Sequence, residues 1–386
     1  MSFLAHPLWL AGFRPFFALA CLAGAILPVL WLAMYAGWIG PPAGMAAVHW
    51  HAHEMFFGFG WAVLGGFLLT STKNWVGIRG YHGGALALPA AAWLFERVGM
   101  AWGGAWPPVL FLLSAYLFSG LIVAMLLATL LRHRATDSYR NDNIVFFVIL
   151  PLFPVAKALM LEPATFAAGS AMTLALFRAA FLVMLERTLS QFMKGVFQVS
   201  ILRHPVLDTA IKLLAIAMVF SPWMPAGAAA LAGILLALLL ALRFVFWKPL
   251  VALRRLDVGI MHLGYLAIVA QLLADAATHL LAIAWIGAFS IHVFTFGVMG
   301  LIAPAMLVRI GKGHTGRKVV FEEGDRRVLW LMIAAFLLRV VAPQVFPQAY
   351  LHWIAAAAAC WCAGFAMLGW RTIPFLLRPR VDGKEH

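Results

Sequence analysis

Charge is what this sequence has least of. Only 11% of its 386 residues are Asp, Glu, Lys or Arg, against 64% hydrophobic, a balance outside that of soluble globular domains. Acidic residues are the scarcer sign, 14 against 28 Lys and Arg, for a formal net charge of +14. Cysteine is nearly absent, three residues in all, and its usage is uninformative. Cys21, Cys360 and Cys362 all lie in apolar stretches, where a buried, inert thiol is the plain reading. Cys360 and Cys362, two apart on a helix, point to different faces, which weakens a shared metal site. Alternating apolar and polar patterning is missing, which excludes a membrane β-barrel. Basic stripes with interleaved aromatics in polar sequence are missing too, so nucleic acid is not a partner.

Long apolar runs are what the chain does have. Twelve are near the length that crosses a bilayer as helix: 16–38, 46–70, 83–102, 107–131, 143–161, 166–188, 206–221, 226–247, 258–281, 285–308, 327–342 and 348–370. Backbone polar groups in lipid must be paired within the segment, so the expected fold is an all-α integral membrane protein with about 12 transmembrane helices. The first run is too long for a signal-peptide core and lacks a basic leader, so it is read as retained. The remaining connections are too short for a soluble domain, leaving one polytopic domain over residues 1–386.

The connections set the orientation. Lys and Arg cluster after even-numbered runs, as in Arg132, Arg134 and Arg140, or Arg309, Lys312, Arg317 and Lys318. The odd-numbered connections carry a single charge between them, Glu162. By the positive-inside rule both termini are cytoplasmic, 309–326 is the main cytoplasmic loop, and the positive charge faces an anionic lipid leaflet.

Histidines then sort by depth. The string W-H-x-H-E-M at Trp50 to Met55, with His49 before it, opens the second run from the outer side. Imidazole is the commonest protein ligand for copper, zinc and haem iron, and such groups are costly beside lipid without a purpose. His279, His292 and His352 also fall in the outer half, and His53 and His292 lie at similar depth, roughly 10–12 Å below their helix starts. On a helix His49 and His53 share a face while His51 points nearly opposite, so two clients suit the spacing better than one metal. The metal-ligand candidates are therefore His49, His51, His53 and His292, weighed against the bland alternative of interfacial residues touching headgroups. Glu54 can orient an imidazole, ligate a metal or relay protons. His262, near the inner end of its helix, either ligates a further group or hydrogen-bonds a helix-end carbonyl. Buried charges such as Glu96, Arg97, Lys157, Arg178, Asp275 and Arg339 require partners. Ion pairs such as Asp275 with Arg339 are one expectation.

At these residues the chain resembles the NnrS family. The resemblance runs from Arg14-Pro15-Phe16-Phe17 through W-H-A-H-E-M at Trp50 to Met55, the G-F-L-L-T ending at Thr70, and Asn74-Trp75. It continues through His262-Leu263-Gly264-Tyr265, His292 with Gly297-Val298-Met299-Gly300, and Gly313-His314-Thr315-Gly316-Arg317. The chain departs from the family's glycine-arginine-proline stretch at Glu186 to Lys194. The resemblance implies a haem- and copper-containing protein of the bacterial inner (cytoplasmic) membrane, concerned with nitric oxide tolerance. On that basis haem b and copper are the expected cofactors, with His53, His292 and His262 as haem-ligand candidates and Arg97 and Arg339 as candidate propionate clamps.

The leading functional expectation is a protein that binds nitric oxide, and reduces it if electrons are supplied. No Cys-x-x-Cys-His haem attachment string occurs, so a quinol or a redox partner must supply them. The alternative is a secondary transporter for copper, haem or a metal-nitrosyl species, suited by an even helix count and intramembrane charges. A terminal-oxidase-like subunit ranks below both, because its adjacent His-His pair and His-Pro-Glu string are absent.

Overall fold

The computed structural model describes residues 3–384. Among the described residues the regular structure is helical throughout. The membrane helices are α1 (Phe13–Tyr35), α2 (Ala47–Val76), α3 (Gly84–Trp102), α4 (Pro108–Arg132), α5 (Ile144–Leu161) and α6 (Phe166–Phe197). They continue with α7 (Pro205–Trp223), α8 (Ala226–Phe246), α9 (Leu256–Leu281), α10 (Phe289–Gly313), α11 (Glu323–Val345) and α12 (Pro347–Leu376). All twelve expected runs are helices. Eleven are long and apolar enough to cross a membrane. The other is α3, a 19-residue helix whose apolar run is interrupted by Glu96 and Arg97. The protein is a multi-pass membrane protein in a lipid bilayer.

Local chemistry places the helix ends. Pro108 and Pro205 begin α4 and α7, where a missing N–H costs nothing. Gly77 closes α2 at φ 71°, a left-handed position that side chains rarely take. A reciprocal capping box between Glu322 and Asp325 starts α11. Helix α10 runs on to Gly313, so the polar connection expected over 309–326 narrows to the residues between Gly313 and Glu323.

Three helices contain a π-helical stretch: Glu54–Gly60 in α2, Thr295–Gly300 in α10 and Leu337–Val341 in α11. Such i→i+5 turns bulge a helix outward and concentrate at functional positions.

The chain divides into two compact units. The first holds residues 1–166, 306–320 and 362–386, and the second 167–305 and 321–361. In the first, α2 packs along α1 and α4, and α3 and α5 pack on α4. Gly12 and Gly66 set the α1–α2 spacing: a Cβ there would fall 2.6 Å from Leu69 Cβ and 2.8 Å from Phe16 Cβ. In the second, α8 and α9 form the longest contact, with α7, α11 and the first half of α10 around them.

Candidate functional site

The first turns of α2 present three imidazoles to three different surroundings. The His49 ring stacks on Phe166, with centroids 3.8 Å apart at 20°. The His51 ring stacks on Trp31 at 4.3 Å and 17°. His53 is buried at 1% exposure and enters a cluster of charges.

That cluster is assembled from α2, α3 and α5. His53 Nδ1 lies 3.3 Å from Glu54 Oε1 and is hydrogen-bonded to it. His53 Nε2 lies 3.3 Å from Glu96 Oε1 but out of line, and makes no hydrogen bond. Glu54 Oε2 faces Arg97 Nε at 3.2 Å, and Glu96 Oε2 faces Arg97 Nη2 at 3.3 Å. The Lys157 ammonium donates to Glu96 Oε1 at 2.5 Å and to the Ala115 carbonyl at 2.7 Å. Two carboxylates face two cations in this cluster. An ion group of this kind is tolerated out of water only when every member is paired.

Aromatic side chains and one glycine hold the cations in place. The Lys157 ammonium lies 4.6 Å from the Phe57 ring centroid, and the Arg97 guanidinium 5.2 Å from that of Trp93. Trp93 Nε1 donates to the Gly58 carbonyl inside the π-helical stretch, at 2.8 Å. Gly58 leaves room for the guanidinium, because a Cβ on it would sit 2.1 Å from Arg97 Nη1 and displace it. Gly58 admits Arg97, Gly65 faces Ile122 and Gly66 faces Phe16.

The chemistry follows from the tautomer. With Glu54 accepting from Nδ1–H, the lone pair of His53 sits on Nε2, the arrangement by which a carboxylate prepares an imidazole to ligate a metal. Glu96 and Lys157 complete the site. As single buried charges their sequence positions gave no partner, yet the signal was there. Glu96 stands twelve residues after the start of α3 and Lys157 thirteen after the start of α5, so two helices entering from the same side bring them to one depth.

The remaining candidates lie in the second unit. His292 Nδ1 is 2.6 Å from the Ala288 carbonyl, again leaving Nε2 as the lone-pair nitrogen. His53 and His292 each open the string His-x-x-x-Phe-Gly, ending at Gly58 and Gly297, and each stands just before a π-helical stretch. Arg339 is buried within the third such stretch, its guanidinium 5.7 Å from the Tyr350 ring centroid. His262 faces two carbonyls, Val258 through Nδ1 and Trp247 through Nε2, each at 3.3 Å. Trp247 caps the C-terminal end of α8, so His262 meets a helix-end carbonyl. Asp275 accepts from Gln271 and Ser290, and Arg178 Nη1 donates to Gln271 at 2.7 Å. Glu186, in the stretch where the sequence departs from the NnrS pattern, gathers Arg203, Lys212 and Arg243. Among the described residues no three His, Cys, Asp or Glu side chains are grouped as a metal site.

The family model described as NnrS protein matches residues 7–380. The chain belongs to the NnrS family. No curated protein matches it. Every motif quoted above for the resemblance falls inside the matched stretch. Membership, with the multi-pass helical fold, fits a membrane protein of the nitric oxide response.

Proposed function

We propose that this NnrS-family chain is a haem b- and copper-containing protein of the bacterial inner membrane that binds nitric oxide at a histidine site. The observation that carries the reading is His53 itself: buried at the mouth of the π-helical stretch, with Nδ1 hydrogen-bonded to Glu54 Oε1 at 3.3 Å, the contact by which a carboxylate orients an imidazole towards a metal. His292 supports it with the same polarity, its Nδ1 tied to a carbonyl. The donor set of imidazoles and carboxylates, without thiolate, suits iron and copper among biological metals. Ferrous haem binds nitric oxide strongly, and a copper can hold a second molecule or pass an electron.

The protein's own contributions are orientation, dryness and proton supply. Glu54 fixes the His53 ring and Arg97 fixes Glu54. Phe57, fully buried, covers the cluster, its ring centroid 5.5 Å from that of His53 and 4.6 Å from the Lys157 ammonium. Nitric oxide is small and apolar and partitions into lipid, so a site within the bilayer needs no polar channel. Reduction of two molecules to nitrous oxide and water consumes two electrons and two protons. A quinol or redox partner supplies the electrons. Glu54, hydrogen-bonded to the His53 ring, is the group placed to relay protons.

The test is spectroscopic. Purified protein is expected to show haem bands and to contain copper, and a preparation lacking both ends the reading. His53→Ala or His292→Ala lowers haem content, whereas His51→Ala chiefly lowers copper. Equal cofactor content in all three variants and wild type removes the site. Reduced protein that binds nitric oxide without releasing nitrous oxide is a binder and not a reductase. Uptake of copper or haem into proteoliposomes would establish the transporter alternative.

A further inference from the structure

Two of the quoted motifs play no part in the histidine site, yet they converge with Lys73 elsewhere in the first unit. Arg14 begins α1, Lys73 lies in the last turn of α2, and His314 and Arg317 follow α10. The segment after α12 joins them. Arg14 Nη1 donates to the carbonyls of Leu376 and Arg378 at 2.8 and 2.7 Å, and Arg380 Nη1 donates to the His314 carbonyl at 3.0 Å. Lys73 is twenty residues beyond His53 on α2, roughly 30 Å along the helix. This is a separate site.

Among the described residues its charge is not balanced. The carboxylate they bring to the cluster is Asp382, which accepts from Arg380 Nε at 2.9 Å and Nη2 at 2.5 Å. Arg14 is 1% exposed and Lys73 7%. The charges acting on Lys73 are those of Arg380 and Arg14, and those acting on Arg14 are Arg380 and Arg317, all of one sign. Burial first, then Lys73 and Arg380, push the His314 imidazole down to about 4.

Capping the end of α12 accounts for only one of the Arg14 nitrogens. Nε and Nη2 are buried without a hydrogen-bond partner, and so is Arg317 Nη1. The Nε–Nη2 edge is the side of a guanidinium that takes an oxyanion through two parallel bonds. Leaving it dry and unpaired beside further cations is costly, and hydrogen bonding within the chain does not relieve it.

We propose that Arg14, Lys73 and Arg317 bind a phosphoryl group, carried by free phosphate or by the headgroup of an anionic lipid. A dianionic tetrahedral group meets the fork of Arg14, the ammonium of Lys73 and the second guanidinium together. A monoanion such as chloride or nitrate leaves two of the three charges uncompensated. The proposal does not depend on the presence of haem or copper.

The experiment uses the full chain, delipidated in neutral detergent at pH 8 and titrated calorimetrically with inorganic phosphate, then chloride. A parallel arm reconstitutes it in phosphatidylcholine discs with and without phosphatidylglycerol and reads retained lipid by native mass spectrometry. Saturable phosphate binding identifies free phosphate as a ligand, and selective retention of phosphatidylglycerol identifies the lipid. Either is expected to weaken at least about tenfold in Arg14→Gln and Lys73→Met. Arg14 also caps α12, so Arg317→Gln, which removes no helix cap, provides the same readout if Arg14→Gln fails to fold. Phosphate binding no tighter than chloride, together with no preference for phosphatidylglycerol, overturns the proposal. Wild-type binding in a folded Arg317→Gln and Lys73→Met pair overturns it equally.

Discussion

Substituting methionine for Lys157 removes one charge from a site with 0% side-chain exposure while keeping most of the side-chain volume. Glu96 then loses its 2.5 Å partner and the Ala115 carbonyl its 2.7 Å donor. Arg97 stays 3.3 Å from Glu96, so neutralisation is weakened and not abolished. Removing one partner of a buried pair costs about 3–5 kcal/mol, and the retained arginine puts Lys157→Met near about 3 kcal/mol. Glu96→Gln keeps a carbonyl acceptor for Lys157 and should cost about 2 kcal/mol. The double variant leaves neither charge stranded, so its cost should fall short of the sum by about 2 kcal/mol. Equilibrium unfolding of the full chain in mixed micelles, run as a double-mutant cycle, measures all three terms. A Lys157→Met cost under about 1 kcal/mol, or additivity within about 0.5 kcal/mol, would refute the pairing as an energetic element of the fold.

Two further outcomes follow from the geometry. Gly58→Ala places a methyl 2.1 Å from Arg97 Nη1, so it should displace that guanidinium from Glu54 and destabilise the protein by about 1–3 kcal/mol, read as a lowered unfolding midpoint. If the midpoint is unchanged, Arg97 is not confined as described. His314 has a folded-state pKa lowered from 6.5 to about 4, so the unfolded chain takes up its proton first as pH falls. Stability is therefore complete above pH 6.5 and declines towards pH 4, by about 3 kcal/mol at most, and His314→Gln should flatten that decline. Melting temperatures of both proteins across that range, with parallel curves counting against the assignment, provide the check.

Helices were legible because their cause is local. Each apolar run sits next to itself in sequence, and the bilayer leaves it only one way to pair its backbone. The expected boundaries and the observed helices therefore agree to a few residues at most ends, as for 226–247 and α8. The differences arise where polar residues continue a helix beyond its apolar run, as in α6 through Phe197 and α10 through Gly313. The π-helical stretches were not legible, since they depend on how a helix is pressed by its neighbours and not on composition.

The candidate site divides in the same way. The sequence alone marked His49, His51, His53 and Glu54 as an improbable concentration of polar groups at a helix mouth, and set the family resemblance. It also counted the buried charges that needed partners. Which charge meets which was decided only by tertiary structure. Lys157 finds Glu96 across 61 positions, and Arg14 finds the Arg378 carbonyl across 364. The physical reason is range. Helix formation satisfies groups a few residues apart, whereas an ion buried in a bilayer is stabilised only by another side chain that the packing of separate helices brings to the same depth. The sequence could require such partners for Glu96 and Lys157, and only the fold could name them.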